Sequence, residues 1–261
     1  MLIDTFSYFS EKELLELRIR MLYDHVDKFI ICEGDHTHKG AYKGFQLEEV
    51  LGEIGVPQDK IQIVKVYMPS YEEQPNAWVR ERMQRDAAAV YVKDEDICIA
   101  SDLDEIPDPS KLELHTYMLG QVKNTVIYLS MYNLQQRADL EVLIKGKHAY
   151  WEAAYICTGR ALREYTLSQL REKLTLQRII TGFEYKYAYE LNVPHVAGWH
   201  FSWMGNNSNK LKNFLHWDEF SQLHEEGDIL GRPDHSLQKF NTEKLPKLIY
   251  ELPHIKEFLL K

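Results

Sequence analysis

The feature that most constrains this chain is the alternation of strand-like and helix-like segments from residue 1 to 132. Leu2, Ile3 and Phe6 form a short strand pattern. Ser10-Glu11-Lys12-Glu13 has the form of a capping box, in which the Ser caps a helix amide and the Glu reaches back. Leu15, Ile19, Leu22 and Val26 then recur at helical spacing. Phe29-Ile30-Ile31-Cys32 is a buried-strand run. A short helix over 46–51, a third strand from Ile61 to Tyr67, a long helix from Ala77 to Val92 and a fourth strand, Ile97-Cys98-Ile99-Ala100, follow. A second capping box, Ser110 to Glu113, opens a helix to about Leu119, and Thr125 to Tyr132 reads as a fifth strand. Strands and helices in this order predict an α/β fold with a mostly parallel central sheet flanked by helices.

The second half is less regular. Tyr165 to Leu176 reads as a polar helix, Phe183 to Tyr189 carries four aromatics, and the tail is broken by Pro246 and Pro253. There is no internal repeat or linker-like tract, so one domain over 1–261 is expected. Hydrophobic residues make up 44% and charged residues 27%, the balance of a globular chain with a core. The formal net charge of −9, with no basic cluster, argues against nucleic acid as a partner. An acidic chain that binds an anion needs a cation or a few well-placed basic groups.

No apolar run approaches the roughly 18 residues of a membrane-spanning helix, and the first residues lack the shape of a signal peptide. Cys32, Cys98 and Cys157 form no CxxC pair and read as buried thiols of a reducing compartment. A cytoplasmic location is the expectation.

The most informative segment is Ser101-Asp102-Leu103-Asp104-Glu105-Ile106-Pro107, which follows the fourth strand directly. Ligands of open α/β sheets bind outside the carboxyl ends of strands. In an extended backbone Asp102 and Asp104 point the same way, and Glu105 the other. Two converging carboxylates repel unless a cation lies between them, and hard oxygen ligands suit Mg²⁺ or Mn²⁺. Such an ion keeps positions open for phosphate oxygens, so the pattern suits a nucleoside diphosphate. A solvated acidic loop, or capping carboxylates before Pro107, would read the same way.

Asp4-Thr5-Phe6, Glu13-Leu14-Leu15-Glu16-Leu17-Arg18, Val26 to Gly34, Thr37-His38-Lys39-Gly40, Arg80 to Asp86, Ser101 to Pro107, and Ala197-Gly198-Trp199-His200-Phe201-Ser202-Trp203 form a series of blocks. Together, in this order, they resemble glycosyltransferase family 17. The resemblance implies a GT-A (Rossmann-like) fold and an inverting transfer of GlcNAc or a similar hexose from a UDP-sugar to a glycan acceptor, with a divalent metal, Mn²⁺ or Mg²⁺. Residues 1–132 would be the nucleotide-sugar-binding half, and 133–261 the acceptor side with the C-terminal helices. The stretch from Met131 to Tyr155 does not match the family pattern, which leaves the acceptor open.

The resemblance also distributes roles. Asp104 is the expected direct metal ligand, and Asp102 binds the metal or the ribose. His200 is the expected third ligand, with His216 as its rival; Gly198 would allow close backbone approach, and Trp199 and Trp203 would exclude water. Arg85 would face the donor sugar and Asp86 a sugar hydroxyl, while Arg80 and Arg82 are expected in solvent. Glu33 ends the second strand, where base or ribose docks, and Lys210 or Lys212 would meet the diphosphate. Glu152, Asp218 and Glu219 are unranked candidates for the general base. Trp151 and Tyr155 belong to core or to a sugar-stacking surface. His36 and His38 sit in a polar loop and read as surface or substrate contacts.

Two other functional classes compete. A nucleotidyltransferase also uses carboxylates and Mg²⁺, but its Gly-rich phosphate loop is missing: Gly34 is the only glycine in residues 1–35. A non-catalytic carbohydrate- or nucleotide-binding protein is the other; hydrolysis of a UDP-sugar separates it from a catalyst.

Overall fold

The structure, a computed structural model, describes residues 1–121, 125–172, 184–187, 196–204 and 234–261. Strands β1 (Leu2–Tyr8), β2 (Lys28–Gly34), β3 (Ile61–Val66), β4 (Ile97–Ala100), β6 (Thr125–Tyr128), β10 (Tyr155–Thr158) and β11 (Glu184–Tyr187) form one seven-stranded sheet, ordered β11-β6-β10-β4-β1-β2-β3. The β1–β2, β2–β3, β1–β4 and β6–β11 pairs are parallel, and β10 runs antiparallel to both its neighbours. Strands β5 (Glu105–Pro107), β7 (Tyr132–Gln135), β8 (Leu140–Ile144), β9 (Lys147–His148), β12 (Gly198–Ser202) and β13 (His235–Lys239) build a second mixed sheet. The result is a mixed α/β protein consistent with a Rossmann-like nucleotide-binding fold.

The strand order has a direct consequence. The chain steps from β1 outward through β2 to β3, then returns to place β4 on the other side of β1. The crevice outside the carboxyl ends of β1 and β4 is therefore the topological switch point, where open α/β sheets bind ligands. The acidic segment leaves β4 at that point and enters β5, so it also joins one sheet to the other. The expected fifth strand divides for a related reason: β6 stays in the first sheet and β7 starts the second.

Helix α1 (Lys12–Leu22) buries Leu14, Leu15, Leu17, Ile19 and Leu22 against the first sheet, and α2 (Leu47–Ile54) buries Leu47, Leu51 and Ile54. The first capping box does not form. The Ser10 amide donates to the Glu11 carboxylate at 3.3 Å, and α1 begins at Lys12 without a side-chain cap. At the second box the cap is Asp108, which accepts from the Ser110 amide and hydroxyl at 3.0 and 2.7 Å. Helix α4 (Pro109–Gln121) thus starts two residues early, at a proline whose missing N–H is no loss in the first turn. The long helix expected from Ala77 is α3 (Ala77–Asp86), capped by Asn76 and continued by a 3-10 turn over Ala87–Tyr91. The expected polar helix after Tyr165 is α6 (Leu167–Glu172), preceded by α5 (Ala161–Glu164); it buries Leu167, Ser168 and Leu170. At the C-terminal end, α7 (Leu248–Glu251) and α8 (Pro253–Leu260) pack on α1.

Cys32, Cys98 and Cys157 are all free and buried, as expected. No described helix is long and apolar enough to cross a membrane.

Candidate active site

Two arginines that sequence reasoning missed organise the acidic segment. The first is Arg18, which lies on the apolar face of α1 and is wholly buried. It makes a bidentate pair with Asp4 of β1, at 2.8 and 2.6 Å. The same guanidinium donates to the carbonyls of Asp102 and Glu105 at 2.7 and 2.9 Å, and to the Ser101 hydroxyl at 2.7 Å. The loop from β4 to β5 is therefore held from below, through its backbone, with its carboxylates left to point elsewhere. A signal existed: an arginine on a helical apolar stripe and an aspartate inside an apolar strand must find each other, since an unpaired buried charge is very costly.

The second is Arg171 on α6. Helices α3 and α6 are tied together by Asp86, which accepts from the Ser168 amide at 2.7 Å, and by the Arg82–Glu172 ion pair at 2.7 Å. That packing brings Arg85 of α3 and Arg171 of α6 to the two sides of Asp102. Arg85 reaches Asp102 Oδ1 at 3.2 Å and Glu81 at 2.6 Å, while Arg171 bonds Asp102 Oδ2. Arg171 also grips Glu105 with both terminal nitrogens, at 2.9 and 2.7 Å. Burial pushes the Asp102 carboxyl up, but Arg171 and then Arg85 outweigh it and hold the group well below the usual carboxylate range. Glu105 is lowered likewise, with burial opposed by Arg171. Burial works against the charge on Arg171, and Asp102 and Glu105 more than restore it.

Glu105 takes four hydrogen bonds: two from Arg171, one from the Trp151 indole and one from the Asp102 amide at 2.9 Å. An ionised carboxylate has about four lone-pair sites. Glu105 is thus a hub that fixes Arg171, Trp151 and the loop.

His200 arrives from the second sheet. On β12 it pairs with Glu105 of β5 on one side and Asn133 of β7 on the other. Directly paired residues share a face, so this register aims His200 at the acidic segment. Its Nε2 lies 3.8 Å from Asp104 Oδ1, its Nδ1 lies 3.3 Å from Asn133 Oδ1, and its ring stacks on Trp151 at 4.4 Å. Gly198 is what permits the close β12–β5 approach: a Cβ there would stand 2.3 Å from the Ile106 carbonyl oxygen.

Ligand atoms of Asp104, Glu105 and His200 lie within 4.8 Å of one another, but the Glu105 carboxylate is already committed to its four donors, which leaves Asp104 and His200 as the candidate ligands. Ligand bonds near 2 Å place two donors of one ion about 3–4 Å apart, so the 3.8 Å between Asp104 and His200 fits a shared divalent cation. Asp102 stands outside this trio. It lies beside the trio with its carboxylate held by the two arginines.

The other expected residues are placed as follows. Glu33 is buried, and its carboxylate accepts from Lys43 at 3.1 Å and from the Gln46 and Leu47 amides at the start of α2. Glu152 accepts from the Ser130 hydroxyl at 2.9 Å. Arg80 is not in solvent; it is fully buried and donates to the carbonyls of His38, Ser70 and Gln74, joining the loops after β2 and β3. Arg82 is partly exposed, as expected, but ion-paired. His36 and His38 bond Asp35 and Gln84, each at 2.9 Å. Trp151, rather than Trp199, covers His200; the Trp199 indole turns away to the Lys244 carbonyl at 2.9 Å. Tyr155 is core. His216, Lys210, Lys212, Asp218 and Glu219 lie outside the described residues.

A mixed α/β sheet with carboxylates, arginines and a histidine at its switch point is consistent with a Rossmann-like nucleotide-binding fold. Comparison with known proteins narrows the class: the model of glycosyltransferase family 17 matches residues 1–154, more than half of the chain, and the chain belongs to that family. It is 24% identical over 212 residues to the human β-1,4-mannosyl-glycoprotein 4-β-N-acetylglucosaminyltransferase, covering 74% of this chain and 38% of that protein. The enzyme of the same name from Rattus norvegicus matches to the same extent. The chain thus spans well under half the length of these relatives. Among solved structures, 4-diphosphocytidyl-2C-methyl-D-erythritol synthase from Anaerococcus prevotii DSM 20548 aligns over 72% of this chain and 88% of its own, at 11% identity and a TM-score of 0.43. That likeness is too slight to bear on fold or function.

Proposed function

We propose that this chain is an inverting, metal-dependent glycosyltransferase of the GT-A type that moves GlcNAc or a similar hexose from a UDP-sugar to a glycan acceptor. The observation that carries the reading is the meeting of Asp104 and His200, 96 residues apart in the chain and 3.8 Å apart at the switch point of the sheet. In this reading both hold Mn²⁺ or Mg²⁺, which would neutralise the departing diphosphate. Residues 1–132 form the donor half of one domain and 133–261 the acceptor half.

The chain's own residues supply the rest. Glu105 and Asn133 orient the Trp151–His200 stack. Arg18 fixes the loop backbone, so that Asp104 meets the donor in a set position without reorganising. An inverting attack needs a carboxylate to take the acceptor hydroxyl proton; Glu152, Asp218 and Glu219 remain the candidates. Lys210 and Lys212 are further candidates for the diphosphate, and a cytoplasmic setting accords with three free thiols.

The test is donor turnover. Incubated with UDP-GlcNAc and related UDP-sugars plus Mn²⁺, the protein should release UDP slowly by hydrolysis, and faster with a suitable glycan. EDTA should stop both. Release that is indifferent to EDTA, or consumption of nucleoside triphosphates instead, would overturn the reading.

A further inference from the structure

We infer that Arg85 and Arg171 form a diphosphate-binding pair, and that Asp102 is its built-in competitor rather than a permanent metal ligand. Both arginine side chains are about nine-tenths buried, at 10% and 12% exposure, while the Asp102 side chain between them is 37% exposed. Two buried guanidiniums thus converge on the one member of the group that solvent reaches. The Arg85 Nε is buried and makes no hydrogen bond, so the pair holds a donor that Asp102 does not satisfy. Such an orphaned N–H on a buried cation is costly unless a ligand takes it.

Geometry favours a two-lobed anion. Asp102 spends one oxygen on each arginine, Oδ1 on Arg85 and Oδ2 on Arg171. A diphosphate presents more oxygens than a carboxylate, over a wider span, and guanidinium forks bind phosphate oxygens well. It would take the same Nη2 groups together with the Arg85 Nε. Asp102 and a phosphate oxygen cannot both hold those N–H groups, so diphosphate entry displaces the Asp102 side chain toward solvent. Arg171 remains anchored on Glu105 throughout. Asp102 therefore sets how readily the pair accepts an anion.

This rests on the donor site proposed above, yet it is tested without metal or sugar. Inorganic pyrophosphate is titrated calorimetrically in EDTA against the 261-residue chain, with inorganic phosphate as control. Asp102→Asn should bind pyrophosphate about tenfold or more tightly than wild type, because a charge-assisted competitor is gone. Arg85→Gln, and Arg171→Lys in the Asp102→Asn background, should weaken it. Thermal unfolding of each variant shows whether the fold is kept, and Asp102→Ser stands in if Asp102→Asn is not folded. Pyrophosphate binding in the Asp102 variant that is equal to or weaker than wild type overturns the proposal, as does equal affinity for phosphate and pyrophosphate. A failure of UDP to bind with Mn²⁺ would instead strike the glycosyltransferase reading and leave this result standing.

Discussion

Two arginine–aspartate units hold one loop, and they differ in how far they are sealed from solvent and how completely their hydrogen bonds are made. Asp4 and Arg18 are both wholly buried, and Arg18 spends its remaining N–H groups on carbonyls and a hydroxyl of the loop. Asp102 is shared by Arg85 and Arg171, is partly open to solvent, and leaves one arginine nitrogen without a partner. The same chemistry thus serves as a structural clamp where its hydrogen bonds are complete and sealed. It serves as a candidate ligand site where they are incomplete and open.

The largest effect should come from breaking the sealed unit. Arg18→Met leaves Asp4 as a buried, unpaired charge and releases the loop backbone, which should cost about 3–5 kcal/mol. Urea unfolding measures it, and the Asp4→Leu/Arg18→Met double variant should recover much of the loss. Asp102→Asn should cost far less by the same assay; equal losses would erase the distinction between the units.

Gly198→Ala should be next, at about 1–3 kcal/mol for overpacking, since the new methyl meets the backbone of β5. Its signature is functional as well: pushing β12 away from β5 separates His200 from Asp104, so metal-dependent UDP binding should weaken more than the stability change explains.

The smallest effect is in acid. Asp102 and Glu105 have folded-state pKa values below their unfolded ones. Their contribution to stability is therefore present above the unfolded values of about 4 and lost as pH falls through the folded ones. Urea midpoints from pH 7 to pH 3 should fall less steeply for Asp102→Asn than for wild type; identical profiles would show that the arginines do not hold this carboxylate in solution.

Much of the first sheet was legible because strand and helix periodicities alternate cleanly and each buried strand is a short apolar run. The acidic segment was legible for the same reason, lying directly behind such a strand. Less legible was anything decided by contact between distant segments. Period-two alternation put Glu105 opposite Asp104, yet the chain turns after Asp102 and enters a second sheet, and Glu105 becomes the hub of the site. Arg171 sits in a short helix of ordinary polar composition, and only its packing against α3 gives it a role. Glu33 looked poised at a strand end, but the amides at the start of α2 claim its carboxylate. Arg80, on a polar helix, turns inward because carbonyls of two loops need a donor.

If Asp104 and His200 hold one divalent ion, titration of Mn²⁺ in the presence of UDP, followed by the loss of the free-ion electron paramagnetic resonance signal, reads out that bond. His200→Ala and Asp104→Asn should each weaken Mn²⁺ by roughly 10–100-fold or more, judging by losses seen when even outer-sphere partners of metal ligands are removed. In His200→Ala, high Mn²⁺ should restore part of the UDP binding. Mn²⁺ affinity unchanged in both variants, with the fold intact, would mean that these two side chains hold no ion.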